Sequence, residues 1–146
     1  MSAVLLLAPR IVAPYILASN ENQERTMTQA GTKDHPITIE PIHERVRVIW
    51  HGRTIGDSKT ALELREANYP PVVYVPRADM DMSALERTAR VTTCPYKGEA
   101  NYFSITDGKS RDDNAVWTYE LPKTDVGEIG SHLAFYPDKV EITRGG

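Results

Sequence analysis

Arg45-Val46-Arg47-Val48-Ile49-Trp50 alternates along its length, with Val46, Val48 and Trp50 falling on one side and the two arginines on the other. Successive side chains of a strand point to opposite faces, so this period of two is the signature of a half-buried β-strand. His51-Gly52 follows as a plausible two-residue turn, and Arg53-Thr54-Ile55-Gly56-Asp57-Ser58 returns as the partner strand of a hairpin.

The pattern extends outward in both directions. Upstream, Pro36-Ile37-Thr38-Ile39-Glu40-Pro41 is a short extended segment bracketed by prolines, which suits an edge strand or a surface strap. Downstream, Lys59 to Asn68 admits a helix, but Leu62, Leu64 and Glu66 alternate and the segment is short, so a strand is preferred. Glu66 then shares a face with two leucines, an odd place for a charge without a partner. Val72-Val73-Tyr74-Val75 is a branched and aromatic β run closed by Pro76. Asp79 to Arg87 reads as a short helix, with Ser83 and Glu86 at capping-box spacing and two aspartates at its start. Val91-Thr92-Thr93 is extended, and Ala100 to Ile105 alternates and turns at Asp107-Gly108. A charged loop over Lys109 to Asp113 leads to Asn114–Tyr119, the expected hairpin partner of Ala100–Ile105. Val126 to Ser131 is a turn or one helical turn. Leu133–Tyr136 and Val140–Ile142 are short strands expected to meet across Pro137-Asp138-Lys139. The sum is a mainly β, compact single domain of short antiparallel sheets with one or two short helices.

At 146 residues and 40% hydrophobic content the chain fits one core, since two would each be too small. A net charge of -3 gives no electrostatic footprint for nucleic acid or anionic lipid, so neither is expected as a partner. Cys94 is the only cysteine, which excludes an internal disulfide and a CxxC zinc pair and makes a reducing cytoplasm the default compartment. No metal or other cofactor is expected. The apolar run Ala3–Ala8 is interrupted by Pro9 and Arg10, too short for a membrane span and lacking a basic lead as a signal peptide. Residues 1–34 are expected to be a flexible or non-native extension, with the native start near Met27 and the domain over 35–146.

The densest chemistry lies in Cys94-Pro95-Tyr96-Lys97-Gly98-Glu99-Ala100-Asn101-Tyr102. A thiolate is the reactive form of cysteine and a nearby cation favours it, so Lys97, turned back by Gly98, is placed to activate Cys94. Glu66 or Asp57 would then hold Lys97 or act as a base. His43, His51 and His132 are the histidines considered as partners that approach in space. Lone cysteines are more often small buried hydrophobes, which leaves Cys94 equally readable as packing. Tyr74, Tyr96, Tyr102, Trp117 and Tyr119 form a candidate aromatic wall for a flat ligand, weighed against plain core packing. Asp57-Ser58 is either turn chemistry or a source of pocket oxygens.

Gly52 to Ser58, Glu66, Val73-Tyr74-Val75-Pro76, Cys94-Pro95-Tyr96-Lys97-Gly98, Trp117-x-Tyr119 and Ala134-Phe135-Tyr136 together resemble the bacterial domain-of-unknown-function 427 family, over roughly Pro36 to Ile142. The resemblance implies a β-tent-like fold, shared with B-type methionine-sulfoxide reductases and zinc-bearing ligand-binding modules. Those relatives often carry two CxxC pairs, absent here, so their zinc is not carried over. The family is sometimes labelled nucleotidyltransferase-like. Asp79-x-Asp81 has superficially suitable spacing for metal ions, but it opens a predicted helix and no phosphate loop accompanies it. Two functions stay open: a small enzyme using Cys94, Lys97 and Glu66 for thiol or acid–base chemistry on a small polar substrate, and a binding module for a small molecule or modified side chain.

Overall fold

The computed structural model describes residues 27–146; the expectations for Met1–Thr26 lie outside them. Eleven strands run in chain order: β1 Thr28–Gly31, β2 Pro36–Pro41, β3 Val46–Trp50, β4 Arg53–Ser58, β5 Leu62–Glu66, β6 Val72–Pro76, β7 Leu85–Cys94, β8 Gly98–Thr106, β9 Arg111–Thr118, β10 His132–Phe135 and β11 Glu141–Arg144. Eight form one sheet in the order β1-β2-β5-β6-β10-β9-β8-β7, and β11-β3-β4 form a second. The strands pair antiparallel throughout. No helix among the described residues is long and apolar enough to cross a membrane.

The β3–β4 hairpin forms as its sequence demands. Val46, Val48 and Trp50 are buried, and His51 and Gly52 both take positive φ, at 48° and 78°, the turn geometry that matches strand twist. The Trp50 indole Nε1–H donates to Asp112 Oδ2 at 2.8 Å, so its single polar atom is satisfied. β5 is a strand, as the Leu62-Leu64-Glu66 alternation implies, and β8 and β9 pair with Tyr102 opposite Trp117.

Three expectations are corrected. Asp79–Arg87 is not one helix: 3-10 turns occupy Arg77–Asp79 and Met82–Ala84, and Leu85 already begins β7. The Asp81 side chain, rather than Ser83, is the cap, accepting from the Ser83 N–H at 3.1 Å. Leu133–Phe135 and Glu141–Ile142 do not meet, because β10 is inserted between β6 and β9 while β11 crosses to β3. The charged loop is shorter than expected, since Arg111 already pairs with Thr106 and the Asp107 carboxylate closes a tight turn on the Lys109 and Ser110 N–H groups. Ahead of residue 35, β1 lies along β2, with Ala30 opposite Ile37.

Strand alternation divides the apolar residues between two cores. Val75 on β6, Phe103 and Ile105 on β8, and Leu133 and Phe135 on β10 pack against Val46, Val48, Trp50 and Ile55 of the smaller sheet. Their neighbours in sequence, Tyr74, Tyr102 and Ala134, belong to a second cluster with Ile37, Ile39, Leu64, Tyr119 and the 3-10 segment residues Val126 and Ile129. One face of the large sheet is thus sealed by a second sheet. The other carries the site.

Candidate functional site

The second face encloses a cavity of about 270 Å³. Leu64 and Glu66 reach it from β5 and Val72 and Tyr74 from β6, while Tyr69 comes from the loop joining those strands. Across the cavity stand Lys97 from the β7–β8 turn, Tyr102 from β8, Trp117 and Tyr119 from β9 and its end, and Tyr136 beyond β10. Five of the chain's seven tyrosines therefore line one space.

Local structure explains how the charged pair arrives. Gly98, at φ 112°, lets the chain reverse directly after Lys97 and enter β8, and the Lys97 carbonyl is fixed by the Lys123 N–H at 2.9 Å. Glu66 ends β5 opposite Ile37, and the Ala67 N–H is tied to the Pro36 carbonyl at 2.9 Å. These two anchored strand ends bring the Lys97 ammonium onto Glu66 Oε1. The second carboxylate oxygen takes His35 Nε2 at 2.7 Å. The His35 ring stacks on Tyr96, 4.0 Å between centroids and nearly parallel.

The result is a chain of three groups, His35–Glu66–Lys97, with side chains only 22%, 12% and 10% exposed. Burial pushes the Glu66 carboxyl upward, but the hydrogen bonds from Lys97 and then His35 outweigh it and hold its pKa below the usual value. Lys97 Nζ also sits 5.8 Å from the Tyr119 ring centroid. Tyr74 Oη receives the Trp117 indole N–H at 3.3 Å, and Tyr102 Oη is 2.9 Å from Thr92 Oγ1. Burial drives the hydroxyl pKa values of Tyr74 and Tyr119 far up, so both remain protonated donors.

The structure brings together most of the residues singled out in the sequence and separates others. Glu66, Lys97, Tyr74, Tyr102, Trp117 and Tyr119 line the cavity. Tyr96 stands one layer back, against His35. Cys94 ends β7 opposite Gly98, half-buried against the tyrosine cluster and outside the cavity lining. Asp57 and Ser58 are elsewhere, on β4 of the small sheet: Asp57 is exposed and paired with Arg45 at 2.6 Å, and the Ser58 hydroxyl donates to Asp79 at 2.6 Å. With Asp81 engaged by Arg53 and Ser83, both aspartates of Asp79-x-Asp81 are committed to holding their turn. Among the described residues no group of three or more His, Cys, Asp or Glu side chains is arranged to hold a metal ion.

Sequence reasoning missed His35, Tyr69 and Tyr136. Of the histidines it weighed, His43 is exposed, His51 stacks on Trp50 and His132 is bonded to the Gly130 carbonyl. A signal for His35 existed: it precedes Pro36 at the mouth of the strand that pairs with β5, two residues ahead of Ile37, which stands opposite Glu66. A family model described as a domain of unknown function (DUF427) matches residues 38–146, which contain every residue lining the cavity. No curated protein matches the chain.

Proposed function

Because the chain belongs to the family described as domain of unknown function 427, whose match carries the whole cavity wall, we propose that its function resides there: the protein binds a small molecule in the tyrosine-lined cavity and presents Lys97 to it for acid–base work. The observation that carries this reading is the largely desolvated His35–Glu66–Lys97 chain, with Lys97 buried and its two partners partly so. A buried ion pair is a poor stabilising device, because desolvating two charges offsets their attraction. Placed at the wall of a cavity, it instead supports a functional role. Glu66, ionised and fixed by His35, orients the ammonium, and Lys97 gives one proton to the bound ligand, becoming a neutral amine that can take it back. That is the logic of a working group, its partner and an orienting third residue.

The aromatic walls supply the affinity. Flat rings of tyrosine and tryptophan with apolar Leu64 and Val72 favour a planar ligand, and the few polar groups orient it. Cys94 is read as packing. It does not line the cavity, and no thiol step is assigned to it.

The two tryptophans provide the test. Trp117 lines the cavity while Trp50 is sealed in the opposite core. In an amide-type NMR spectrum of the ¹⁵N-labelled protein, their indole signals separate the two places. A library of small aromatic fragments should contain members that shift the Trp117 indole and leave Trp50 in place, and Lys97→Met should weaken those carrying a polar group. If every binder moves Trp50, or none moves Trp117, the cavity is not a binding site.

A further inference from the structure

The donors and acceptors of the cavity are unequal, and this narrows what can fill it. Both carboxylate oxygens of Glu66 are taken, one by Lys97 and one by His35. Tyr74 Oη accepts from Trp117 and keeps its own proton to give. Tyr119, 6% exposed, has a hydroxyl with no hydrogen-bond partner among the described residues. A buried hydroxyl left unpaired costs about 1–3 kcal/mol, so a partner is wanted there. Lys97 adds two further N–H groups beyond the one given to Glu66. The wall offers proton donors and lacks a free carboxylate to receive them.

Charge points the same way. Lys97 and Glu66 cancel, leaving the lining without net charge. A ligand anion would give up its water beside the Glu66 carboxylate, which already neutralises Lys97, the one cation among the described residues of the lining. A ligand cation would face Lys97 and two hydroxyls that have already protons to donate.

Resting on the reading of the cavity as a binding site, we propose that its ligands are uncharged planar molecules bearing a carbonyl oxygen, such as an aromatic amide, aldehyde or ketone. The ring lies among the tyrosines and Trp117, and the oxygen accepts from Tyr119 and Tyr74, with Lys97 as the third donor. Donors converging on a carbonyl oxygen stabilise the negative charge that develops there when the group is enolised or attacked.

Three probes of one shape decide it: 2-naphthamide, 2-naphthoate and 2-naphthylmethylamine, each titrated against the Trp117 indole signal with Trp50 as the control. The amide is expected to bind at least tenfold tighter than either charged analogue. Tyr119→Phe should weaken the amide roughly five- to tenfold, the loss of one hydrogen bond, with an unchanged or higher melting temperature, because its hydroxyl has no protein partner. If either charged analogue binds tighter than the amide at the same indole, the uncharged class is wrong while the binding cavity stands. An unchanged amide affinity in Tyr119→Phe overturns the donor assignment. If no probe moves the Trp117 indole, both this proposal and the cavity reading fall.

Discussion

The two faces of the eight-stranded sheet are built from the same strands yet follow different chemistry. Both phenylalanines of the chain, Phe103 and Phe135, are in the core shared with the small sheet. Tyr74, Tyr102 and Tyr119 take the opposite face, often from the very next position along the strand. A phenylalanine and a tyrosine bury similar rings, and the hydroxyl alone demands a partner. The dry face therefore closes completely, whereas the tyrosine face leaves a space with polar atoms turned into it. One strand pattern of period two delivers stability to one side and a binding surface to the other.

The dry side is where truncation should hurt most. Phe135→Ala removes a ring 3% exposed from the closed core and is expected to cost about 4 kcal/mol, read as a fall in the urea midpoint at unchanged slope. A loss below about 1 kcal/mol would mean that the two faces do not differ in packing.

On the tyrosine side the expected pattern is different, because the loss there can be reversed. Glu66→Leu strands the Lys97 ammonium in a nearly closed site and should destabilise by roughly 3 kcal/mol. Adding Lys97→Met should return most of that loss, since an apolar pair of similar volume is often as stable as the ion pair it replaces. The double variant should nevertheless fail to bind fragments that reach Lys97. A double variant as unstable as the single would make the pair a structural support rather than a site.

How far the sequence reveals this depends on the face. Val46, Val48 and Trp50 announce the dry core because burial on one side only leaves a clean alternation. Glu66 announces the site by breaking the same rule, a charge among leucines that proved to have partners. What stayed hidden needed distance information. His35 lies 31 residues from Glu66 and Lys97 lies 31 residues beyond it, so only the β2–β5 pairing and the β7–β8 turn show that they form one chain. Asp57 and Ser58 drew notice by proximity to a turn, and that turn belongs to the other sheet. The Asp79–Arg87 helix failed for a related reason: capping signals were read where the following residues, Leu85 to Cys94, were claimed by pairing with β8.

The smallest effect is also the one that belongs to the tyrosine face alone. Glu66 has an ordinary carboxyl pKa of 4.5 in the unfolded chain and a lower one in the fold, because Lys97 and His35 together overcome the upward push of burial. A carboxyl with a depressed folded pKa adds stability that is fully present above the unfolded value and disappears as the pH falls through the folded one. The stability difference between the native protein and Glu66→Gln should therefore be flat from pH 5.5 down to near 4.5 and shrink below it. Subtracting the variant removes the contributions of Asp57, Asp81 and Glu120, whose carboxyls are also lowered by their partners. Phe135→Ala, acting on the dry face, should show a difference that does not change over the same range. If the Glu66→Gln difference instead grew as the pH fell, protonation of Glu66 would be favouring the fold, and the carboxylate would not be the anion that holds Lys97 at the cavity wall.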